Sequence, residues 1–308
     1  MKSDRPQISI IIPTQRRLVG LETAIRSVFR QIKTDFSVLE MVVVDNDLFP
    51  SARDVVERLG GAAPLLVTYV HEPTPGVASA RNAAMAVARG AWIAFLDDDE
   101  EAGPDWLAPL MAVQAMFEAD VVFGPVRGRV PDHLSAHKAY LEWFFSRIGP
   151  GEAEVLDRHY GCGNSLIRRS ALPHQTAPFS MARNQMGGED DVLFAEMQAQ
   201  GVRFAWAPEA WVWEDPPAER LTLSYTLSRS FSFGQGHGAA AWAASDWPAL
   251  ARWMIIGLGQ GCVNTALAAA LALAGSPQAI FKLDLAIRGF GKTFWWWPFR
   301  KGFYGQSV

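Results

Sequence analysis

The sequence predicts an α/β fold: a mostly parallel sheet with helices on both faces and right-handed crossovers, followed by a hydrophobic helical extension. Three observations predict it. Short apolar, often β-branched runs alternate with amphipathic stretches through the first hundred residues. The runs end in polar clusters, Pro13-Thr14, Asp45-Asn46-Asp47 and Asp97-Asp98-Asp99. Ligands on such sheets sit outside the carboxyl ends of the strands, so the three clusters describe one crevice. Finally, Met254 to Gly275 is apolar and Ala/Gly/Leu-rich, about the length that crosses a bilayer core.

Ile8-Ser9-Ile10-Ile11-Ile12 is a first strand. Leu18 to Ile32 carries Leu21, Ile25, Val28, Phe29 and Ile32 at helical spacing. Leu39 to Val44 is a second strand, and Ser51 to Leu59 a helix stopped by Gly60-Gly61. Leu65 to Val70 is a third strand, Gly76 to Arg89 a small-residue helix, and Trp92 to Leu96 the strand that ends in the carboxylates. Asp105 to Phe117 is a helix and Ala119 to Pro125 a strand. The stretch from Arg127 to Asp157 is irregular. Leu166-Ile167 is strand-like, and Gly187-Gly188-Glu189-Asp190-Asp191 leads into a helix from Val192 to Gln200.

The composition is 49% hydrophobic and 19% charged over 308 residues, which allows a sizeable core and argues against disorder. The length suits one large domain with an appendage, or two domains. A net charge of −4 argues against a general nucleic-acid binder. The two cysteines, Cys162 and Cys262, form no metal-ligand or disulfide pattern and fit a reducing compartment. The first residues are polar, with no visible signal peptide.

Crowded carboxylates repel one another and are costly to desolvate unless a cation compensates. A hard divalent ion bridging phosphate oxygens would serve, and a solvated acidic loop is the plainer account. The glycine fingerprint of dinucleotide sites is absent after the first strand, which favours a mononucleotide held by carboxylates and a metal.

Taken in order, Ile10-Ile11-Ile12-Pro13-Thr14, Val42-Val43-Val44-Asp45-Asn46-Asp47, Pro75 to Asn82, Phe95 to Asp99, Gly161-Cys162-Gly163-Asn164 and Gly188-Glu189-Asp190 resemble the family 2 inverting glycosyltransferases of GT-A fold. The resemblance runs from Ile8 to about Gly236 and is closest to bacterial exopolysaccharide enzymes with a hydrophobic C-terminal extension. It implies a Rossmann-like catalytic domain over 1–236, with a nucleotide-sugar half (1–100) and an acceptor half (101–236), and a membrane-associated extension over 237–308.

The resemblance also implies roles. Asp45 would accept from the nucleobase, a uracil imide suiting a carboxylate, with Pro13 and Thr14 lining the base pocket. Asp97 and Asp99 would be the acids of the DXD motif, Asp99 touching Mg²⁺ or Mn²⁺ directly, with Asp98 in the nucleotide-sugar site. Arg81 would reach the phosphates or else form a helix-surface ion pair. Asp190 would be the base that takes the acceptor proton, with Glu189 and Asn164 binding the acceptor. An acidic first turn favoured by the helix dipole is the alternative for 189–191. Many relatives carry a metal-binding His just after Trp211-Val212-Trp213; this chain has Glu214-Asp215, and either could replace it as an oxygen ligand. The Gln-x-x-Arg-Trp pattern of processive synthases is missing, which implies addition of a single sugar.

In the extension, Ile280, Leu283, Ile287, Phe290 and Phe294 fall on one helical face, with Lys282, Arg288 and Lys292 opposite. Trp295-Trp296-Trp297-Pro298-Phe299-Arg300-Lys301 adds interfacial aromatics beside positive charge. An anionic membrane surface is the expected partner, entered by a hairpin or an in-plane helix so that the basic tail stays cytoplasmic. The expected activity is transfer of one sugar from a nucleotide diphosphate donor, UDP-linked for preference, to a lipid-linked glycan at the cytoplasmic face of the cell membrane. A metal-dependent nucleotidyltransferase and a non-catalytic membrane scaffold are the alternatives.

Overall fold

The computed structural model describes residues 6–184 and 188–299. The polar N-terminus through Arg5, Gly187 of the acidic loop, and the basic Arg300 and Lys301 lie outside the described residues. The chain forms two compact units, one comprising residues to Arg129 and Phe145–Asp215, the other Val130–Phe144 and the segment from Pro216.

In the first unit, β1 (Ile8–Thr14), β2 (Leu39–Asp45), β3 (Leu66–His71) and β4 (Trp92–Phe95) alternate with α1 (Leu18–Phe29), α2 (Arg53–Gly60) and α3 (Val77–Val87). These four strands are parallel in the order β3-β2-β1-β4. β5 (Glu100–Ala102), α4 (Leu107–Phe117), β6 (Val121–Phe123) and β7 (Val126–Gly128) follow. After α5 (Lys138–Phe145), which lies almost wholly in the other unit, come β8 (Glu154–Leu156), β9 (Ser165–Arg168), α6 (Glu189–Ala199), β10 (Phe204–Trp206) and β11 (Val212–Glu214). The eight-stranded sheet continues β4-β9-β6-β10-β8, with β9 antiparallel to both neighbours. Apolar side chains bury both faces of the sheet: Ile10, Ile12, Met41 and Val43 on one, Ile11, Val42, Val44 and Ile93 on the other. A run apolar at every position is what a sheet covered by helices on both faces requires.

A separate three-stranded sheet, β5-β11-β7, was not legible in the sequence. Each of its strands has only three residues, too few to show a period. It pairs Glu214 with Glu100 across β11 and β5, beside the carboxylate cluster.

The second unit is helical. α7 (Leu223–Ala243), α8 (Trp247–Leu273) and α9 (Ala279–Thr293) pack together, and α5 packs on α9 through Tyr140 and Trp143. The expected boundary at residue 236 cuts through α7; the division falls at Pro216 because α7 packs on α8 and α9. Small residues let the backbones touch. A Cβ on Gly257 would lie 2.6 Å from the Gly289 carbonyl oxygen, and one on Gly291 would overlap the Phe231 carbonyl oxygen. Gly259 faces open space. α9 also turns differently from its apolar stripe: Asp284, Ala286, Gly289, Gly291 and Thr293 are the buried positions. Asp284 accepts hydrogen bonds from Tyr140 and Ser230, and Lys292 donates to Gln260 at 2.8 Å. The charges expected to face an anionic surface are thus partly spent inside the bundle.

Candidate active site

The central position of β1 gathers the expected donor residues along the carboxyl edge of the sheet. Thr14 stands in register with Asp45, and its hydroxyl donates to Asp98 at 2.8 Å. Asp45 itself is fully buried. Its carboxylate accepts from the Ala52 amide at 2.7 Å, the Tyr69 hydroxyl at 2.9 Å and the Asp47 amide at 3.2 Å. The carboxylate that the resemblance assigns to a nucleobase is therefore engaged by the loop after β2 and by Tyr69. Pro13 is half-buried beside it.

The turn after β4 carries Asp97, Asp98 and Asp99. Arg17, at the start of α1, donates to Asp98 at 3.0 Å and to Asp99 at 2.6 Å. No sequence pattern marked Arg17 for this role. Burial, the largest influence, raises the Asp98 carboxyl to about 6 from 3.8, against the pull of Arg17. The folded state therefore holds this proton more tightly than the unfolded chain. The stability it contributes is complete below pH 4 and is lost as pH rises through about 6. Thermal unfolding should show this group adding up to about 1 kcal/mol per pH unit as the pH falls from 6 toward 4. Asp98→Asn should lose that slope; an unchanged profile would place the titration elsewhere.

Arg81 is buried and does not lie on a helix surface, contrary to that alternative. Its guanidinium donates to Glu189 at 2.5 Å and to Asp97 at 3.3 Å, and packs near the rings of Phe95 and Phe179. It thereby ties the first turn of α6 to the end of β4. α3, which carries Arg81, is anchored at its own start. Asn184 accepts from the Ser79 amide and donates to the Pro75 carbonyl, while Asn46 accepts from the Gly76 amide. Gly76 has φ +129°, and a Cβ there would collide with Asn184.

The acids 189–191 lie within the first turn of α6, three residues earlier than the expected helix start. Glu189 is buried, and burial raises its carboxyl above the usual range despite Arg81. Asp190 is half-buried; its carboxylate accepts from the Cys162 amide at 3.1 Å and the Asp191 amide at 2.9 Å. Asp191 points away, its side chain 73% exposed.

The glycines of Gly161-Cys162-Gly163-Asn164 have a steric reason. A Cβ on Gly163 would lie 2.6 Å from Asp97 Oδ2 and 2.8 Å from Glu100 Oε1. One on Gly161 would lie 3.6 Å from Asp190 Oδ2. The bare backbone lets carboxylates from β4 and α6 approach one another. Cys162 is buried, and burial pushes its thiol up. Asn164 is a correction. It is fully buried in the left-handed region at φ +56°. Its Oδ1 accepts from Trp106 Nε1, and its Nδ2 donates to the carbonyls of Pro125 and Ala210. No polar atom remains for an acceptor sugar; Asn164 instead fixes the turn into β9.

Glu100 and Arg147 complete the cluster. Buried Glu100 accepts from the Asp97 amide at 2.9 Å and from Arg147 at 3.1 Å, and burial raises its carboxyl well above the usual range. Glu214 lies 3.9 Å from the same guanidinium. Asp215 is turned to Arg129 instead. Among the described residues no three His, Cys, Asp or Glu side chains converge as a metal-binding group. The set Asp97, Asp99 and Glu214 is thus not assembled as three protein ligands, because Arg17 holds Asp99 and Glu214 faces Arg147. The donor chemistry still fits a hard cation: hexacoordinate Mg²⁺ is commonly held by one or two carboxylates plus phosphate oxygens and water.

Comparison with known proteins identifies the family. Residues 9–175 match the model of glycosyl transferase family 2. The chain is 34% identical over 245 residues to the succinoglycan biosynthesis protein ExoM of Rhizobium meliloti, covering 77% of this chain and 76% of that one. It is 33% identical over 107 residues, about a third of each chain, to the GalNAc(5)-diNAcBac-PP-undecaprenol beta-1,3-glucosyltransferase of Campylobacter jejuni. Among solved structures, the mannosyltransferase PcManGT of Pyrobaculum calidifontis, in complex with GDP-Man and Mn²⁺, superposes with a TM-score of 0.63 at 19% identity, over 95% of this chain and 88% of that one. At that identity the likeness shows the GT-A fold alone. The family match spans more than half of the chain and takes in the strand-end acids and the glycine turn that brings them together, so this protein is a family 2 glycosyltransferase.

Proposed function

We propose that the chain transfers one sugar from a nucleoside diphosphate sugar to an acceptor hydroxyl with inversion, Asp190 serving as base. The observation that carries this is the Arg81 bridge, which joins Asp97 to the turn bearing Asp190. A donor diphosphate by Asp97 and an acceptor hydroxyl by Asp190 then lie in one site. Asp190 needs only to hold the acceptor hydroxyl and take its proton. A divalent cation, held by Asp97 and Asp99 with phosphate oxygens, would supply charge neutralisation for the leaving diphosphate. The PcManGT complex, which holds Mn²⁺ and GDP-Man, supports such a requirement.

The acceptor in this proposal is a lipid-linked glycan of exopolysaccharide assembly. The names of the Rhizobium and Campylobacter relatives support it. So does α8, which has 27 residues, reaches a mean hydropathy of 1.5 over its most apolar 18, and is long and apolar enough to cross a membrane. Only 17% of its apolar window is buried within the protein, and Ile255, Val263 and Leu273 are exposed. In this proposal α8 enters the membrane and the catalytic unit lies at the cytoplasmic face, where nucleotide sugars are made.

Release of nucleoside diphosphate from a panel of UDP- and GDP-sugars, with a short-chain polyprenyl-linked acceptor, tests this proposal. One donor should be consumed with stoichiometric product; no turnover with any donor would overturn it. Chelation should lower both turnover and UDP affinity, and Asp99→Ala should remove the metal-dependent part of that affinity in calorimetry. Equal affinity with and without chelator would exclude the metal role.

A further inference from the structure

We propose that Arg147 is a ligand of the donor's diphosphate, and that Glu214 holds this guanidinium rather than a metal ion. The proposal rests on the nucleoside diphosphate donor argued above. Arg147 is fixed in place by its backbone: its amide donates to the Val126 carbonyl at 2.8 Å, and its carbonyl accepts from the Val126 amide at 3.0 Å. Its guanidinium reaches in among carboxylates. Nη2 lies 3.1 Å from Glu100 Oε1, and Nη1 lies 3.9 Å from Glu214 Oε2, an ion-pair distance too long for a hydrogen bond. The position of a Cβ on Gly163 is 2.6 Å from Asp97 Oδ2 and 3.1 Å from Arg147 Nη2. The position of a Cβ on Gly161 is 3.6 Å from both Arg147 Nε and Asp190 Oδ2. The guanidinium therefore lies between the carboxylate expected to face the donor and the expected base.

Charge and donor count point the same way. Carboxylates of Asp97, Asp190 and Glu214 lie around the guanidinium, so an entering diphosphate needs a cation there to answer its charge. Arg81 is buried and spends its two terminal nitrogens on Glu189 and Asp97. Arg17 lies against Asp98 and Asp99. Arg147 keeps 37% of its side chain exposed and makes one guanidinium hydrogen bond among the described residues. A guanidinium carries five N–H donors in a fork that matches phosphate. Glu100 and Glu214 aim the group, and its unspent donors meet phosphate oxygens. As transfer proceeds, the bond from the anomeric carbon to the β-phosphate oxygen breaks and its electron pair stays on that oxygen. The acceptor oxygen bonds to the anomeric carbon, and its proton passes to Asp190. Arg147 answers the charge that grows on the departing phosphate.

Calorimetry on the full chain in detergent tests this, using UDP, GDP and the two nucleosides, each with Mg²⁺ or with chelator. Arg147→Ala should weaken binding of the preferred nucleoside diphosphate tenfold to a hundredfold, in the range of a lost charged hydrogen bond. Binding of the matching nucleoside should not change. Arg147→Lys, which keeps the charge and loses the fork, should fall between, and decides the matter if the alanine variant does not fold. Glu214→Gln should weaken diphosphate binding severalfold, equally with Mg²⁺ and with chelator, because Glu214 aims the guanidinium. Wild-type diphosphate affinity in Arg147→Ala or Arg147→Lys would overturn the proposal alone. So would weakening by Glu214→Gln confined to the Mg²⁺ condition, which would make Glu214 a metal ligand. Absence of nucleoside diphosphate binding by the wild-type chain would overturn the donor assignment itself, and this proposal with it.

Discussion

Replacing Asp190 by asparagine should lower transfer by about a thousandfold and leave donor affinity within twofold of wild type. General-base catalysis contributes on the order of 10²–10⁴ in rate, and asparagine at this position cannot take a proton. The substitution is nearly isosteric. The asparagine oxygen can still accept from the Cys162 or Asp191 amide, so the turn keeps its shape. The charge lost from the first turn of α6 costs about 0.3–1 kcal/mol of stability, too little to unfold the chain. Asp191→Asn is the matched control: it removes a charge from the same turn, but from an exposed side chain, and should retain activity. Wild-type turnover in Asp190→Asn, or equal losses in the two variants, would remove Asp190 from the role of base. Single-turnover assays alongside calorimetry separate the chemical step from binding.

Arg81→Ala should destabilise the catalytic unit by about 3–5 kcal/mol, the cost of breaking a buried ion pair from one side. Glu189 would be left buried with no counter-charge, and Asp97 would lose the group that restrains it. The space beside the Phe95 and Phe179 rings would also lose its filling. At this size, that corresponds to a thermal midpoint lower by roughly 10 °C. Adding Glu189→Gln should recover part of the loss, because burial already disfavours the charged form of that carboxyl. A double-mutant cycle measures the coupling directly. If Arg81→Ala melts within 1–2 °C of wild type, the bridge between β4 and α6 is not what holds the site together. In the proposed mechanism the result bears on function too, since a loosened Asp97 and Asp190 would no longer meet donor and acceptor in one geometry.

Much of the site could be read from local patterns. Asp97 to Asp99 stand out because hydrophobic residues precede them and a strand must end there. Asp190 stands out because acids cluster where a helix begins. Their common location followed from the parallel sheet, which carries strand ends to one edge. Arg147 gave no such signal. It lies in a stretch with neither helical nor strand periodicity, and its partners Glu100 and Glu214 are 47 and 67 positions away in the chain. Asn164 was misjudged for a related reason. The resemblance assigned it to the acceptor, and only the packing of Trp106, Pro125 and Ala210 around it uses up its amide. α9 shows the same limit. Its large apolar residues form a clear stripe, yet the buried face is the one with glycines, because backbone proximity and not side-chain volume decided that contact.

What the amino-acid order determined by itself was the class of fold, the strand-end acids and the family, since each depends on short-range periodicity or on a motif of contiguous residues. What only the tertiary structure decided was which charges face which. Arg17, Arg81 and Arg147 each settle on carboxylates from other elements, and Asp45 turns inward to Tyr69. The physical reason is that an ion pair is chosen by distance and burial in space. A linear chain specifies its charges long before folding brings the partners together and removes the water between them.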